Sequence, residues 1–273
     1  MTTFRCDIYK MSSNIQKNLT KLLLIHILIM KGDMILMTSN AIVREKILTY
    51  KENEIIMASK FYRKELACQV TEEAFYKTLE RMCKENELVK IAKGTYHLPK
   101  ISKYGIVPPS DEEMVSSFTK NNTGIIIGYS LYNELGLTTQ VPKSVLVMSN
   151  ALDGITKNIR NIEIKRVNID FSKEIKNMIR GLDVLQNFNI IQDLNYSAFI
   201  KFTEQFALSF KENIFEKVND AIKYKKSTIS FLYEILKYYG VNNDLGNHLS
   251  SLSEYKHPKM EEIYEAARIQ RGF

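Results

Sequence analysis

The chain has 273 residues, 45% of them hydrophobic and 25% charged, with a formal net charge of +7. That length exceeds what one small core needs, and the composition is that of a folded globular protein, which excludes extensive disorder. Cys6, Cys68 and Cys83 form no CxxC pair, the four histidines lack metal-ligand spacing, and the dispersed glycines form no phosphate loop; a disulfide framework, a zinc site and an NTP-hydrolysing site are all unsupported.

Leu22 to Met30 is an apolar run flanked by Lys17, Lys21 and Lys31. It has the flavour of a signal peptide, yet it is too short to span a bilayer and no small-residue cleavage site follows. Lys31-Gly32-Asp33 is compatible with a ribosome-binding purine tract, and Met34 and Met37 lie just downstream. Translation is therefore expected to start at Met37, with Met34 as the alternative, residues 1–36 being a non-native or disordered extension and the product cytoplasmic, without a membrane partner.

From Ala41 to Lys51 the apolar residues Ile42, Val43, Ile47 and Leu48 gather on one side of an amphipathic helix, with Ser39 and Asn40 as candidate caps. Ile55-Ile56-Met57 suits a short strand, Tyr62 to Ala67 a second helix, and Cys68-Gln69-Val70 a turn. Thr71 can cap a third helix, with Glu72 and Glu73 placed favourably against its N-terminal partial charge. Phe75, Leu79, Met82 and Cys83 recur at helical spacing as a buried stripe, and Lys77, Arg81 and Lys84 follow the same spacing on the opposite side. Cys68 and Cys83 read as small buried hydrophobes.

Leu88 to Ile91 and Thr95 to Leu98 are strand candidates joined by Ala92-Lys93-Gly94, a hairpin with lysine at its tip. Three helices followed by a basic hairpin is the order of a winged helix-turn-helix, over residues 37–100. In that arrangement Lys77, Arg81 and Lys84 would approach the major groove and Lys90 and Lys93 the phosphates. Tyr76 and Thr78 are candidates to face bases, and Arg63, Lys64, Thr71 and Thr95 are further candidate DNA contacts.

Pro99, Gly105, Pro108 and Pro109 punctuate a junction, after which Ser110 and Glu113 form a capping-box pattern for a helix to about Lys120. Ile125 to Ile127 and Ser144 to Met148 read as strands around a short helix, Ser130 to Leu135. Ile159 to Val167 reads as one further strand with Arg160, Lys165 and Arg166 on a basic exposed side. Helices are expected over Lys173–Gln186, Tyr196–Phe210, Phe215–Lys223, Thr228–Tyr239 and Pro258–Arg268. The resulting class is α+β: an N-terminal winged helix-turn-helix, a mixed α/β domain over 101–189, and a helical C-terminal part over 190–273.

Four stretches carry a resemblance to a known family: Lys77-Thr78-Leu79-Glu80-Arg81-Met82; Gly94-Thr95-Tyr96-His97-Leu98-Pro99-Lys100; Gly105 to Ser110; and, most specific, Gly128-Tyr129-Ser130-Leu131-Tyr132-Asn133-Glu134-Leu135-Gly136-Leu137-Thr138-Thr139-Gln140-Val141-Pro142. Over about Ala41 to Gly181 the chain resembles the AbiEi-like antitoxins of type IV toxin-antitoxin systems. The resemblance implies a bacterial phage-defence antitoxin that is not an enzyme. Its winged helix would repress its own operon by binding operator DNA. Its distal region would counteract a nucleotidyltransferase-like toxin without requiring direct contact. Asn86 stands where the family usually has glycine, and asparagine also tolerates left-handed backbone.

An alternative reading is a winged-helix regulator whose distal domain senses a ligand or dimerises. A nucleic-acid enzyme would need Asp153, Glu163, Asp170 and Glu174 to converge on a metal, and no fixed spacing supports that. No catalytic residue, metal ligand or cofactor site is assigned. Under the antitoxin reading, a fragment from Met37 to Lys100 is expected to bind DNA by itself.

Overall fold

A computed structural model describes residues 38–250 and 252–272. The expected start at Met37 and the apolar run before it lie outside the described residues. The architecture is mixed α and β with a helical C-terminal part, as the hydrophobic periodicities predict.

The first helix, α1, spans Ser39–Ile47 and is capped by Thr38, whose Oγ1 accepts from the Ala41 amide at 3.3 Å. The cap is thus one residue earlier than expected. Val43 and Ile47 are buried, while Leu48 is exposed. β1 (Ile55–Met57) runs directly into α2, Ala58–Phe61 continued by a π-helical turn over Tyr62–Leu66. This helix begins four residues earlier than periodicity suggests, because the Ala58 amide is held by the Gly94 carbonyl at 3.0 Å.

α3 spans Glu72–Lys84, capped by Thr71. Asn86 takes φ 60° after it, so asparagine makes the left-handed turn in place of glycine. β2 (Val89–Ala92) and β3 (Thr95–His97) form the wing and pair with β1 in the order β1-β3-β2.

The predicted junction over 100–109 is a second hairpin, β4 (Lys100–Ser102) and β5 (Gly105–Val107), which among the described residues pair only with each other. Glycine and proline here mark a turn and a strand exit. α4 (Asp111–Thr119) starts with the anticipated capping box: Glu113 N donates to Ser110 Oγ at 3.1 Å and Ser110 N to Glu113 Oε2 at 2.8 Å.

β6 (Gly124–Ile127), α5 (Tyr129–Glu134) and β7 (Val145–Ser149) follow. The single strand expected over Ile159 to Val167 is instead a hairpin, β8 (Thr156–Ile159) and β9 (Ile162–Arg166), turning at Arg160 with φ 53°. The sheet order is β6-β7-β9-β8, with β7 and β9 parallel. Apolar residues on both sides of the turn merged into one apparent run, and neither glycine nor proline marks the break.

The helices α6 (Lys173–Asn187), α7 (Tyr196–Leu208), α8 (Glu212–Ile222), α9 (Lys226–Tyr238) and α10 (Met260–Gln270) complete the chain. A methyl group at Gly181 would collide with the Phe206 ring, so glycine is what lets α6 and α7 approach.

Among the described residues three clusters of buried side chains hold the fold. One is internal to the winged helix (Phe61, Phe75, Leu79, Met82). The largest joins β6 and β7 to the C-terminal helices. The third, centred on Met114, Phe118, Val147, Ile162 and Ile164, also receives Ile55, Met57, Ile91 and Ala92 from the winged helix. Hydrophobic packing therefore crosses both expected boundaries, near residue 100 and near residue 189. Register explains the third cluster: Ile126, Val147 and Ile164 are paired neighbours on one sheet face, and that face and α4 meet the outer face of the wing sheet.

Candidate nucleic-acid interface

The anticipated reading helix presents two distinct sides. Phe75, Thr78, Leu79 and Met82 are buried, whereas Lys77, Arg81 and Lys84 are exposed as expected. The exposed side is not purely basic, however. Glu72, Glu73 and Glu80 share it, and Lys77 Nζ pairs with Glu73 at 2.7 Å. Among the described residues, Arg81, Lys84, Lys90, Lys93, Lys100 and Lys103 form no ion pair. Lys90 lies close enough to Cys83 to oppose the upward push that burial gives its thiol, which places this lysine beside the end of α3.

Three expected contacts and one expected burial are corrected. Thr78 is only 3% exposed and donates to the Ala74 carbonyl at 2.9 Å, so it faces the core and not a base. Thr95 is 0% exposed, because the distal sheet covers the outer face of β3. Tyr76 is half-buried, edge-on to Phe75, and offers only part of its ring. Cys68 is exposed, contrary to the reading of a buried hydrophobe, while Cys83 is half-buried.

Other candidates have local employment. Thr71 caps α3 through Ala74 N at 3.3 Å. Lys64 is exposed and lies 3.2 Å from Glu65. Arg63 pairs with Asp153, which Ser59 also contacts, and these bonds hold the Asp153 carboxyl below the usual range. Arg63 thus ties α2 to the loop after β7. The wing tip is held too: Lys157 Nζ donates to the Lys93 carbonyl at 2.9 Å, leaving the Lys93 side chain exposed.

At the other end of the wing sheet His97 is 1% exposed. Its Nδ1 contacts the Leu98 carbonyl at 2.9 Å and its Nε2 has no partner, so the neutral ring donates from Nδ1. Burial holds this imidazole below its ordinary pKa; the Leu98 bond and Glu113 act oppositely, and Arg160 acts with burial. A depressed pKa makes the unfolded chain the better proton acceptor, so stability is fully present above about pH 6.5 and falls as pH drops towards the native value, by at most about 1.4 kcal/mol per pH unit. Urea midpoints taken from pH 7.5 downwards are expected to fall, and the fall should be shallower in His97→Gln. Equal slopes in both proteins would count against this.

The most specific sequence stretch proves architectural. Gly128 (φ 68°) donates its amide to Asp183 Oδ2 at 3.0 Å, and Tyr132 donates its hydroxyl to the same oxygen at 2.9 Å. Asn187 Nδ2 approaches Oδ1 at 3.2 Å. Burial raises the Asp183 pKa, opposed by the Gly128 and Tyr132 bonds, and it raises the Tyr132 hydroxyl as well. Tyr129 donates to the Ile190 carbonyl at 2.7 Å and Thr138 to the Gln192 carbonyl at 2.7 Å. Sequence reasoning passed over Asp183, although a carboxylate set between Leu182 and Val184 in the apolar second half of this helix was a readable signal.

The carboxylates considered for a metal do different work. Asp153 pairs with Arg63, and Glu174 pairs with Lys211. Among the described residues no group of three His, Cys, Asp or Glu side chains is placed to hold a metal ion, and no helix is long and apolar enough to cross a membrane.

Fold and surface define a winged-helix unit fused to an α/β body that is completed by C-terminal helices. The chain belongs to a family of unknown function, DUF6088, which matches residues 42–197. That span covers the winged helix, the second hairpin, the four-stranded sheet and α6. No curated protein matches the chain significantly.

Proposed function

We propose that this protein is a DNA-binding autorepressor and the antitoxin of a type IV toxin-antitoxin system. The observation that carries the DNA-binding half is the exposed outer side of α3, where Arg81 and Lys84 stand without ion-pair partners among the described residues, beside Lys90 on the edge strand β2. A helix followed by a wing is suited to lie in the major groove, with lysines on the flanking strand neutralising phosphate. The antitoxin half rests on the resemblance over about Ala41 to Gly181, above all on the stretch from Gly128 to Pro142. In that reading the protein is not an enzyme, acts in the cytoplasm, and opposes a nucleotidyltransferase-like toxin without requiring contact with it.

Binding to the duplex upstream of its own coding sequence, followed across a salt series, tests the first half. Arg81→Ala and Lys84→Ala are each expected to lower the slope of log affinity against log salt by about one. Unchanged slopes and affinities would remove α3 from the interface. Growth rescue on co-expression with an adjacent nucleotidyltransferase-like gene product tests the second half.

A second reading, a ligand-sensing regulator without a toxin, has one observation in its favour. A cavity of about 200 Å³ lies where α2 meets α4, lined by Lys60, Lys64, Tyr50, Phe61, Ser117 and Phe118. Failure of rescue by well-folded protein, with operator binding intact, would favour it.

A further inference from the structure

The β4–β5 hairpin is the anomaly of the surface. Ile101 and Tyr104 are 75% and 87% exposed, Ile106 and Val107 are also exposed, and none of the four belongs to any of the buried clusters. Among the described residues its strands pair with no other strand. An isolated two-stranded hairpin is marginal in water, and an apolar patch on one is a mark of interaction. Its charge says with what. From Leu88 to Ser110 the sequence holds Lys90, Lys93, Lys100 and Lys103 and no acidic residue. Lys103 also lies over the Tyr104 ring, 4.9 Å from its centroid.

Position makes the same point. Register pairs His97 at the end of β3 with Val89 at the start of β2, and β2 follows α3 directly. The hairpin therefore leaves the wing sheet at the end where α3 terminates, and Lys90, Lys93, Lys100 and Lys103 follow one another along the chain without an intervening acid. The first wing, meanwhile, is tethered at its tip through the Lys93 carbonyl. Three acids on α3 offset its three bases, so attraction for phosphate has to be supplied by neighbouring elements. A second copy of the chain is a poorer occupant, since pairing two such hairpins would bring like charges together without a carboxylate between them.

We infer that the β4–β5 hairpin is a second DNA-contacting arm, with Lys100 and Lys103 on backbone phosphates and Tyr104, flanked by Ile101 and Ile106, pressed against the minor groove. Small apolar and aromatic side chains do enter that groove and open base steps there. The inference rests on the DNA-binding reading above and assigns to that reading a contact surface outside α3 and the first wing.

The test uses the full chain with the duplex upstream of its own coding sequence and an unrelated duplex of equal length, over a salt series. The paired substitution Lys103→Ala, Tyr104→Ala removes nothing from any core, and circular dichroism should match the wild type. It is expected to weaken binding to both duplexes by about tenfold and to lower the salt slope by about one. Tyr104→Phe, which keeps the ring, should retain most of the affinity. If the paired variant binds like the wild type while Arg81→Ala weakens binding, the hairpin assignment is overturned and the α3 reading survives. If the wild type binds neither duplex, both fall. Two further results overturn the assignment in favour of another occupant. One is a dimer that the paired variant converts to a monomer with DNA affinity unchanged. The other is wild-type binding to vesicles of phosphatidylserine and phosphatidylcholine that the variant loses with DNA affinity unchanged.

Discussion

Asp183→Ala is expected to destabilise the protein by about 3–5 kcal/mol, because it leaves three neutral donors in a buried site without their acceptor. The carboxylate is buried and receives the Gly128 amide and the Tyr132 hydroxyl on one oxygen, with Asn187 on the other. Alanine leaves those donors without acceptors in a site that water does not reach, and each orphaned group costs about 1–3 kcal/mol. Asp183→Asn should behave differently. It keeps an oxygen for Gly128 and Tyr132 and ends the penalty of burying a charge, but its new amide group faces the Asn187 Nδ2 donor where Oδ1 stood, so a loss of about 1–3 kcal/mol, smaller than for alanine, is expected. Urea unfolding of both variants separates these outcomes. Equal, small losses would mean that the network contributes little and that the start of α5 is held by packing alone.

Asp183 also shows why the stretch from Gly128 to Pro142 is so particular as text. Gly128 must take a positive φ and bring its amide to a carboxylate 55 residues later; Tyr132 must reach the same oxygen; Thr138 and Tyr129 must meet backbone between Ile190 and Gln192. Each residue type is dictated by a partner remote in sequence. Such a motif is legible as special, but its meaning stays hidden until the partner is placed beside it.

Local signals were easier to read. Thr71 and Ser110 announce helix starts through their own side chains, and Phe75, Leu79 and Met82 announce a face through spacing alone. The candidate interface was partly legible for the same reason. Lys77, Arg81 and Lys84 had to be exposed once the stripe opposite them was buried. Thr78 and Thr95 failed for two reasons. Thr78 lies towards the stripe on the helical wheel, at the same angle as the core, and its hydroxyl returns to the Ala74 carbonyl. Thr95 alternates away from Tyr96 and would face water in a lone winged helix, but here a second sheet covers it. No period in the sequence announces that cover. The β4–β5 hairpin was hidden by proline and glycine, which fit a linker as well as a turn.

Phe118→Ala is expected to cost about 3–5 kcal/mol, as for other buried phenylalanines truncated in a core, and to affect both halves of the protein. Phe118 is 2% exposed in the cluster that α4 and the sheet share with Ile55, Met57, Ile91 and Ala92. One cooperative transition, shifted as a whole, should be seen by urea, and amide exchange in β1 to β3 should accelerate along with exchange in β6 to β9. Two transitions with the winged helix unmoved would disprove the coupling. The same packing alters what a fragment ending at Lys100 can be. Cut there, the wing sheet would bare Ile55, Met57, Ile91, Thr95 and His97, a face that is covered in the intact chain. The fragment is therefore expected to be less stable than the whole and prone to self-association, even where it retains affinity for DNA. Ser59, Arg63 and Lys93 meet Asp153 and Lys157 around the rim of this same contact. A disturbance of the distal sheet is thus expected to reach α2 and the wing through packed side chains, since no flexible linker separates the part proposed to bind DNA from the part proposed to oppose the toxin.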